Sequence, residues 1–180
     1  MTSLARPSLR LRASWAEAVA EFSEAGDFMH GSGLWAFDDL DTSEAGAAQV
    51  IEYLLAQADP DAELPEDRVP CTYFWITDGD EFVGYLALRH RLTAWLLEEG
   101  GHIGYGVRPS RRREGHASRA LALALEEAAA LGLERVLITA DDDNVASWRV
   151  IERAGGVQED IRKGKRRYWI DLPRTRQAPA

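Results

Sequence analysis

Apolar residues recur at two spacings along this chain, and the switches between them order the elements. Leu9 to Ala13 alternates weakly and predicts a first strand. Trp15, Ala18, Val19 and Phe22 then fall at helical spacing, so a helix is expected over Trp15 to Ala25, capped by Ser14 and ended by Gly26. Residues 27–42 keep neither period and read as an irregular, partly exposed loop. Ser43 caps a second helix running to Ala58, whose buried stripe is Ala47, Val50, Ile51, Leu54 and Leu55. Asp59 to Pro70 carries three prolines and five acidic residues, the composition of a linker within the domain. Cys71 to Thr77 and Glu81 to Arg89, joined by Asp78-Gly79-Asp80, predict a hairpin. Leu92 to Glu98 allows no more than a helical turn. A strand over Gly101 to Val107 stops at Pro109, and a helix follows over Arg113 to Leu131 with Leu121, Leu125, Ala128 and Ala129 inward. Arg135 to Ala140 is a buried strand and Asn144 to Ala154 a helix closed by Gly155-Gly156. Val157 to Ile161 and Arg167 to Leu172 complete the strands, and Pro173 to Ala180 is expected to fray.

The order β-α-α-β-β-β-α-β-α-β-β suits one α/β (α+β) domain spanning 1–180, with its core over residues 9–172 and a mixed sheet flanked by helices. The strand Arg135 to Ala140 returns through a helical crossover, so it is expected parallel to Gly101 to Val107.

Composition narrows the chemistry. With 46% hydrophobic residues, the 180-residue chain can bury a full core. No apolar run approaches the ~20 residues needed to span a bilayer, and Met1 to Arg12 has no apolar core of the signal-peptide kind. A cytoplasmic protein with no membrane partner is expected. The net charge of −9 argues against wrapping nucleic acid and mildly favours a cationic, amine-bearing partner. The single cysteine, Cys71, excludes an internal disulfide.

The densest chemical signal runs from Gly104 to Ser118. A strand enters a turn bearing Arg112-x-x-Gly115-x-Ala117 and then a long alanine-rich helix. The first N–H groups of such a helix have no partners within it, and arginines beside them call for an anion. A phosphorylated ligand is expected, held by Arg112, Arg113, Glu114, Gly115, His116, Ala117 and Ser118, with Arg111 adding charge. A P-loop fits less well, because the Gly-Lys-Ser/Thr ending is missing. Asp141-Asp142-Asp143 point in different directions and are not expected to hold a metal.

Gly104-Tyr-Gly-Val-Arg-Pro109 followed by Arg112-x-x-Gly115-x-Ala117 resembles the acyl-CoA signature of the GNAT N-acetyltransferase superfamily. Asn144-x-x-Ser147 resembles that family's element beside the CoA arm. Gly84 to His90, Gly100 to Pro109 and Asn144 to Gly156 further resemble bacterial members known as acetyltransferases from their sequences alone. The resemblance implies acetyl-CoA as cosubstrate, no metal, and a splayed parallel strand pair whose gap takes the acyl-pantetheine arm. It implies that Val107 pairs with that arm, that Asn144 and Ser147 flank it, and that the acceptor is a small-molecule or peptide amine. Homodimers are common in the family, although this sequence carries no signal for one.

The pattern breaks at one place. Many relatives carry a tyrosine seven residues after the asparagine, which protonates the departing thiolate; here that position is Ile151. Tyr105 and Tyr168 are the substitutes on offer. Candidates for the base are His102, on the strand before the loop, and His90, at the end of the preceding strand, each near neutrality in its ordinary titration. Strict alternation puts His102 on the face opposite Tyr105 and Val107 unless a bulge intervenes. Three other readings stay open: an acyl-CoA-binding module without turnover, an enzyme using another acyl-CoA or a hydroxyl acceptor, and an interaction domain using the aromatic loop Phe28 to Phe37. Position alone assigns the acceptor pocket to Asp27 to Thr42 and Leu92 to Gly100.

Overall fold

Strongly apolar alternation in the middle of the chain produces its central hairpin. In the computed structural model, which describes residues 1–62, 64–65 and 67–173, β1 spans Thr2–Ala5, β2 Cys71–Asp78, β3 Glu81–Arg89 and β4 Ile103–Val107. These four form one antiparallel sheet in the order β1-β2-β3-β4. β5 (Arg135–Asp141), β6 (Val157–Arg162) and β7 (Lys165–Asp171) form a second antiparallel sheet in the order β5-β7-β6. The helices are α1 (Arg12–Ala25), α2 (Glu44–Ala56), α3 (His116–Ala130) and α4 (Val145–Arg153).

The first sheet has two covered faces. On one, Phe74, Ile76, Leu86, Leu88 and Ile103 pack against Ala120, Leu121, Ala124 and Ala128 of α3 and join the inner face of β5 and β7. On the other, Trp75, Phe82 and Tyr85 meet Trp15, Ala18 and Phe22 of α1 and Val50 and Leu54 of α2. Trp15 stacks on Trp75 at 5.8 Å between centroids and donates its Nε1–H to the Tyr85 hydroxyl at 2.9 Å. An irregularity in the β2–β3 register, where Ile76 faces Gly84 but Thr77 faces Phe82, leaves Val83 as an extra residue. That bulge lets Phe82 and Tyr85, three residues apart, share one face while Val83 and Leu86 share the other.

Several expectations are corrected. The first strand is Thr2–Ala5, which pairs with the free edge of β2, and Leu9–Leu11 is a 3₁₀ turn that buries Leu11 under α1. Ser14 does not cap α1; its hydroxyl accepts the Phe82 N–H at 2.8 Å, while the helix starts two residues earlier. Ser43 does cap α2, accepting the Gly46 N–H at 3.2 Å, but Leu55 at the end of its stripe is 38% exposed. The single helical turn allowed over Leu92 to Glu98 is a π-helical turn at Leu96–Gly100, which runs two residues past that segment. α3 begins at His116 rather than Arg113, because Arg113 and Gly115 take left-handed φ values of +67° and +84°.

Every ladder among the described residues is antiparallel, so the expected parallel pair does not form one. Instead, His102, the residue before β4, is bonded to β5: its N–H donates to Leu137 O at 2.7 Å, and the Leu137 N–H donates to His102 Nδ1 at 2.9 Å. Gly101 permits this approach, since a Cβ there would stand 2.5 Å from Leu137 O. Among the described residues no helix is long and apolar enough to cross a membrane. The terminal fraying expected after Pro173 lies outside the described residues, as do Glu63 and Glu66 of the linker.

Candidate active site

The turn between β4 and α3 is held from below. Arg108, 5% exposed, donates from Nε to Glu21 Oε1 of α1 at 3.1 Å and from Nη1 to Phe82 O at 3.2 Å. Its own N–H donates to Val83 O at 2.9 Å, so one arginine satisfies both carbonyls exposed by the bulge. Glu21 also accepts the Ser110 N–H and hydroxyl at 3.2 and 3.1 Å. Chiefly through Arg108, these donors hold the Glu21 carboxyl at about 2. Arg111 is spent within the protein on Glu81, Asp78 and Glu114.

His116 points inward, 3% exposed, with Nδ1 2.9 Å from Thr2 Oγ1 and Nε2 3.3 Å from both Glu114 Oε2 and an Arg111 nitrogen. Arg119 donates to Thr2 Oγ1 at 2.7 Å and to Glu114 O at 2.6 Å. The side chains of Glu114 and His116 therefore brace the turn and are turned away from its open side. Gly115 is the residue before α3 and supplies no side-chain cap, so the N–H groups of His116, Ala117 and Ser118 open the helix without intrahelical partners. Space at Gly115 is limited by Arg119, whose guanidinium would lie 2.7 Å from a Cβ there. Arg112 lies across the mouth of the turn, donating to Val107 O at 3.1 Å and to Asp27 Oδ2 at 2.6 Å. Arg113 is exposed and has no ion-pair partner among the described residues.

Across from this turn, Asn144 caps α4 by accepting the Ser147 N–H at 3.0 Å. The Tyr105 hydroxyl lies 3.1 Å from Ser147 Oγ and 3.3 Å from Ser147 O, which ties the middle of β4 to the start of α4. Burial raises the Tyr105 phenol to about 12, so it keeps its proton at neutral pH. Asp141 and Asp142 pair with Lys165 and Arg166 of β7, and no metal-ligand group occurs among the described residues. Tyr168 is fully buried against Glu152 rather than open to this region, and Ile151 is core.

The two histidine candidates part company with the turn. His102 Nδ1 is an acceptor for Leu137, so the neutral ring carries its proton on Nε2; burial, then the Arg89 charge, lowers its pKa to about 4. No bulge interrupts β4, whose register with β3 is regular from Gly84–Val107 to Leu88–Ile103. His90 sits beyond the far end of β3, with Nε2 2.8 Å from Thr72 Oγ1. Sequence reasoning did not find one other contributor, Glu21, whose spacing within α1 carries no signal; the 28–33 part of the Asp27 to Thr42 segment, assigned to the acceptor pocket by position, lies on β4. There the Gly104 and Gly106 face carries no side chain, and His30 and Gly31 approach it main chain to main chain.

With the loop, the helix start and the β4–α4 link in place, the family comparison becomes decisive: the Acetyltransferase (GNAT) family matches residues 37–156. The chain belongs to this family. Solved structures with the same fold include Mycobacterium smegmatis RimJ in complex with CoA-disulfide, with a TM-score of 0.68 and 21% identity over 94% of this chain and 81% of that one. The microcin self-immunity acetyltransferase MccE, in complex with acetyl-CoA and AMP, follows with a TM-score of 0.65 and 17% identity over 95% and 92%. RimL, a ribosomal protein alpha-N-acetyltransferase solved with coenzyme A, has a TM-score of 0.63 and 16% identity over 95% and 94%. No curated protein matches the chain. The GNAT match covers the β4–α3 turn and the Asn144 cap alike, so both parts of the site fall inside the family region.

Proposed function

We propose that this GNAT enzyme transfers the acetyl group of acetyl-CoA to a primary amine, by direct attack in the gap between β4 and β5. One observation carries the reading: a helix start whose first N–H groups have no intrahelical partners follows a strand edge that has no ladder partner among the described residues. Arg89 N donates to His102 O and Arg108 N to Val83 O, so even-numbered residues of this stretch bond to β3. Alternation then turns the main-chain groups of Tyr105 and Val107 toward the open edge. That edge suits an extended pantetheine arm, bound as an added strand, with its diphosphate on the N–H groups of Gly115 to Ser118. The hydrogen bonds of His102 to Leu137, with no β4–β5 ladder beyond them among the described residues, support a strand pair that splays from that point.

An N–H on the edge polarises the thioester carbonyl. The acceptor nitrogen attacks it, the C–S bond breaks, and the Tyr105 hydroxyl gives its proton to the thiolate while recovering one from the new amide nitrogen. A binding module without turnover is the second reading, favoured by the fully buried Ile151 where many relatives carry their acid. The test has two parts. Acetyl-CoA at a hundred times its Kd should stabilise the protein by about 2.7 kcal/mol, and Arg112→Ala combined with Gly115→Glu should abolish the shift. Release of CoA thiol with a panel of primary amines separates enzyme from module. A shift that survives the double substitution overturns the loop assignment.

A further inference from the structure

The four histidines differ in one respect that bears on the reaction. His90 is bonded to Thr72, His102 to Leu137, and His116 to Thr2 with Glu114 and Arg111 on its other nitrogen. His30 alone has no hydrogen bond to its ring among the described residues. It lies on the segment that covers β4: a Cβ on Gly106 would be 3.0 Å from His30 O, and one on Gly31 would overlap the Gly104 carbonyl. Ile103 is part of the core beneath α3, and Tyr105 and Val107 pack against it on the same face of β4. His30 approaches the opposite, side-chain-free face at Gly104 and Gly106.

We propose that His30 is the general base, accepting the proton of the acceptor ammonium on the glycine face of β4 while the acyl donor lies along the edge. The assignment rests on the acetyl-transfer reading above. The surroundings suit the role. Asp27, after α1, and Asp141, at the end of β5, both favour the charged imidazole, and Lys165 on β7 opposes it. β4 itself contributes Gly104 and Gly106 on this side, and Phe28 packs edge-on to the ring at 4.8 Å. His30 is exposed at one side, yet the partial desolvation of its ring outweighs the carboxylates and lowers its pKa below the ordinary 6.5, so the ring is neutral and ready to accept at pH 7. The balance is closed: the ammonium proton passes to the imidazole, the free amine forms the C–N bond, the C–S bond breaks, and the imidazolium releases its proton to water. The net products are amide, CoA thiol and one proton.

The experiment has an arm that needs no acceptor. Treat the protein with diethyl pyrocarbonate at pH 7 and locate the modified histidines by peptide mass spectrometry. His30 should react first, and saturating acetyl-CoA should slow it at least ~10-fold. In the second arm, His30→Gln should keep the wild-type acetyl-CoA thermal shift but lose ~10²–10³-fold in kcat/KM at pH 7 for whichever amine the wild type accepts. The loss should shrink as pH rises toward the amine's own pKa, a recovery that a merely structural defect would not show. Modification of His30 no faster than the bonded histidines, or unslowed by bound acetyl-CoA, overturns the placement. An equal loss at every pH overturns the base role. Failure of the transferase reading looks different: acetyl-CoA gives no thermal shift, or the wild type turns over no amine, while the modification pattern still reports where His30 lies.

Discussion

The joint between β4 and β5 makes the stability of this protein depend on the neutral form of one buried imidazole. His102 is 6% exposed and accepts the Leu137 N–H, which only an unprotonated Nδ1 can do. Its folded pKa of about 4 lies below the ordinary 6.5. The unfolded chain therefore binds a proton that the folded one refuses. The stabilisation is complete above pH 6.5 and drains away as pH falls through 4. Each tenfold in proton affinity is worth about 1.4 kcal/mol, so the full effect is ~3 kcal/mol, or ~2 kcal/mol once residual hydration of the ring is allowed for. His102→Asn keeps an acceptor near the Nδ1 position but cannot titrate. Urea unfolding of both proteins from pH 7.5 to 4 isolates the contribution, because His30 and His90, also lowered by burial, cancel in the comparison. The wild type should lose ~2 kcal/mol more than the variant over that range. Parallel curves would refute the reasoning. His102→Leu strands the Leu137 N–H and should cost about 1–3 kcal/mol even at pH 7.5.

Two further perturbations probe the supports of the site. Gly31→Ala places a Cβ against the Gly104 carbonyl at φ +77°; a loss of ~2 kcal/mol, read as a Tm roughly 4–8 °C lower, is expected. Glu21→Gln leaves the buried Arg108 with Glu81 at 3.5 Å and Glu17 at 3.9 Å as its carboxylate partners among the described residues; denaturant unfolding should show a loss of about 1–3 kcal/mol, and calorimetry a weaker affinity for acetyl-CoA.

The turn between β4 and α3 was legible because its geometry is local. Arg112-x-x-Gly115-x-Ala117 encodes its own turn, through a glycine that accepts φ +84° and a helix start that exposes its N–H groups. Asn144 caps the next helix for the same local reason. The histidine candidates were not separable in this way. Whether an imidazole is a base or a fixed acceptor depends on what stands opposite it, and Leu137 lies 35 residues from His102.

Taken alone, the amino-acid order determined the helices, the central hairpin, the glycine turn before α3 and the family, since periodicity, caps and turn residues act within a few neighbours. Folding in three dimensions decided the rest. Thr2–Ala5 is a strand because β2 offers it a free edge, not because of its own pattern. The bulge at Val83, the pairing of Arg108 with Glu21, and the laying of His30 on the bare face of β4 all join segments far apart in the chain. Hydrogen-bond partners and burial at that range are set by packing, which no short window of residues contains.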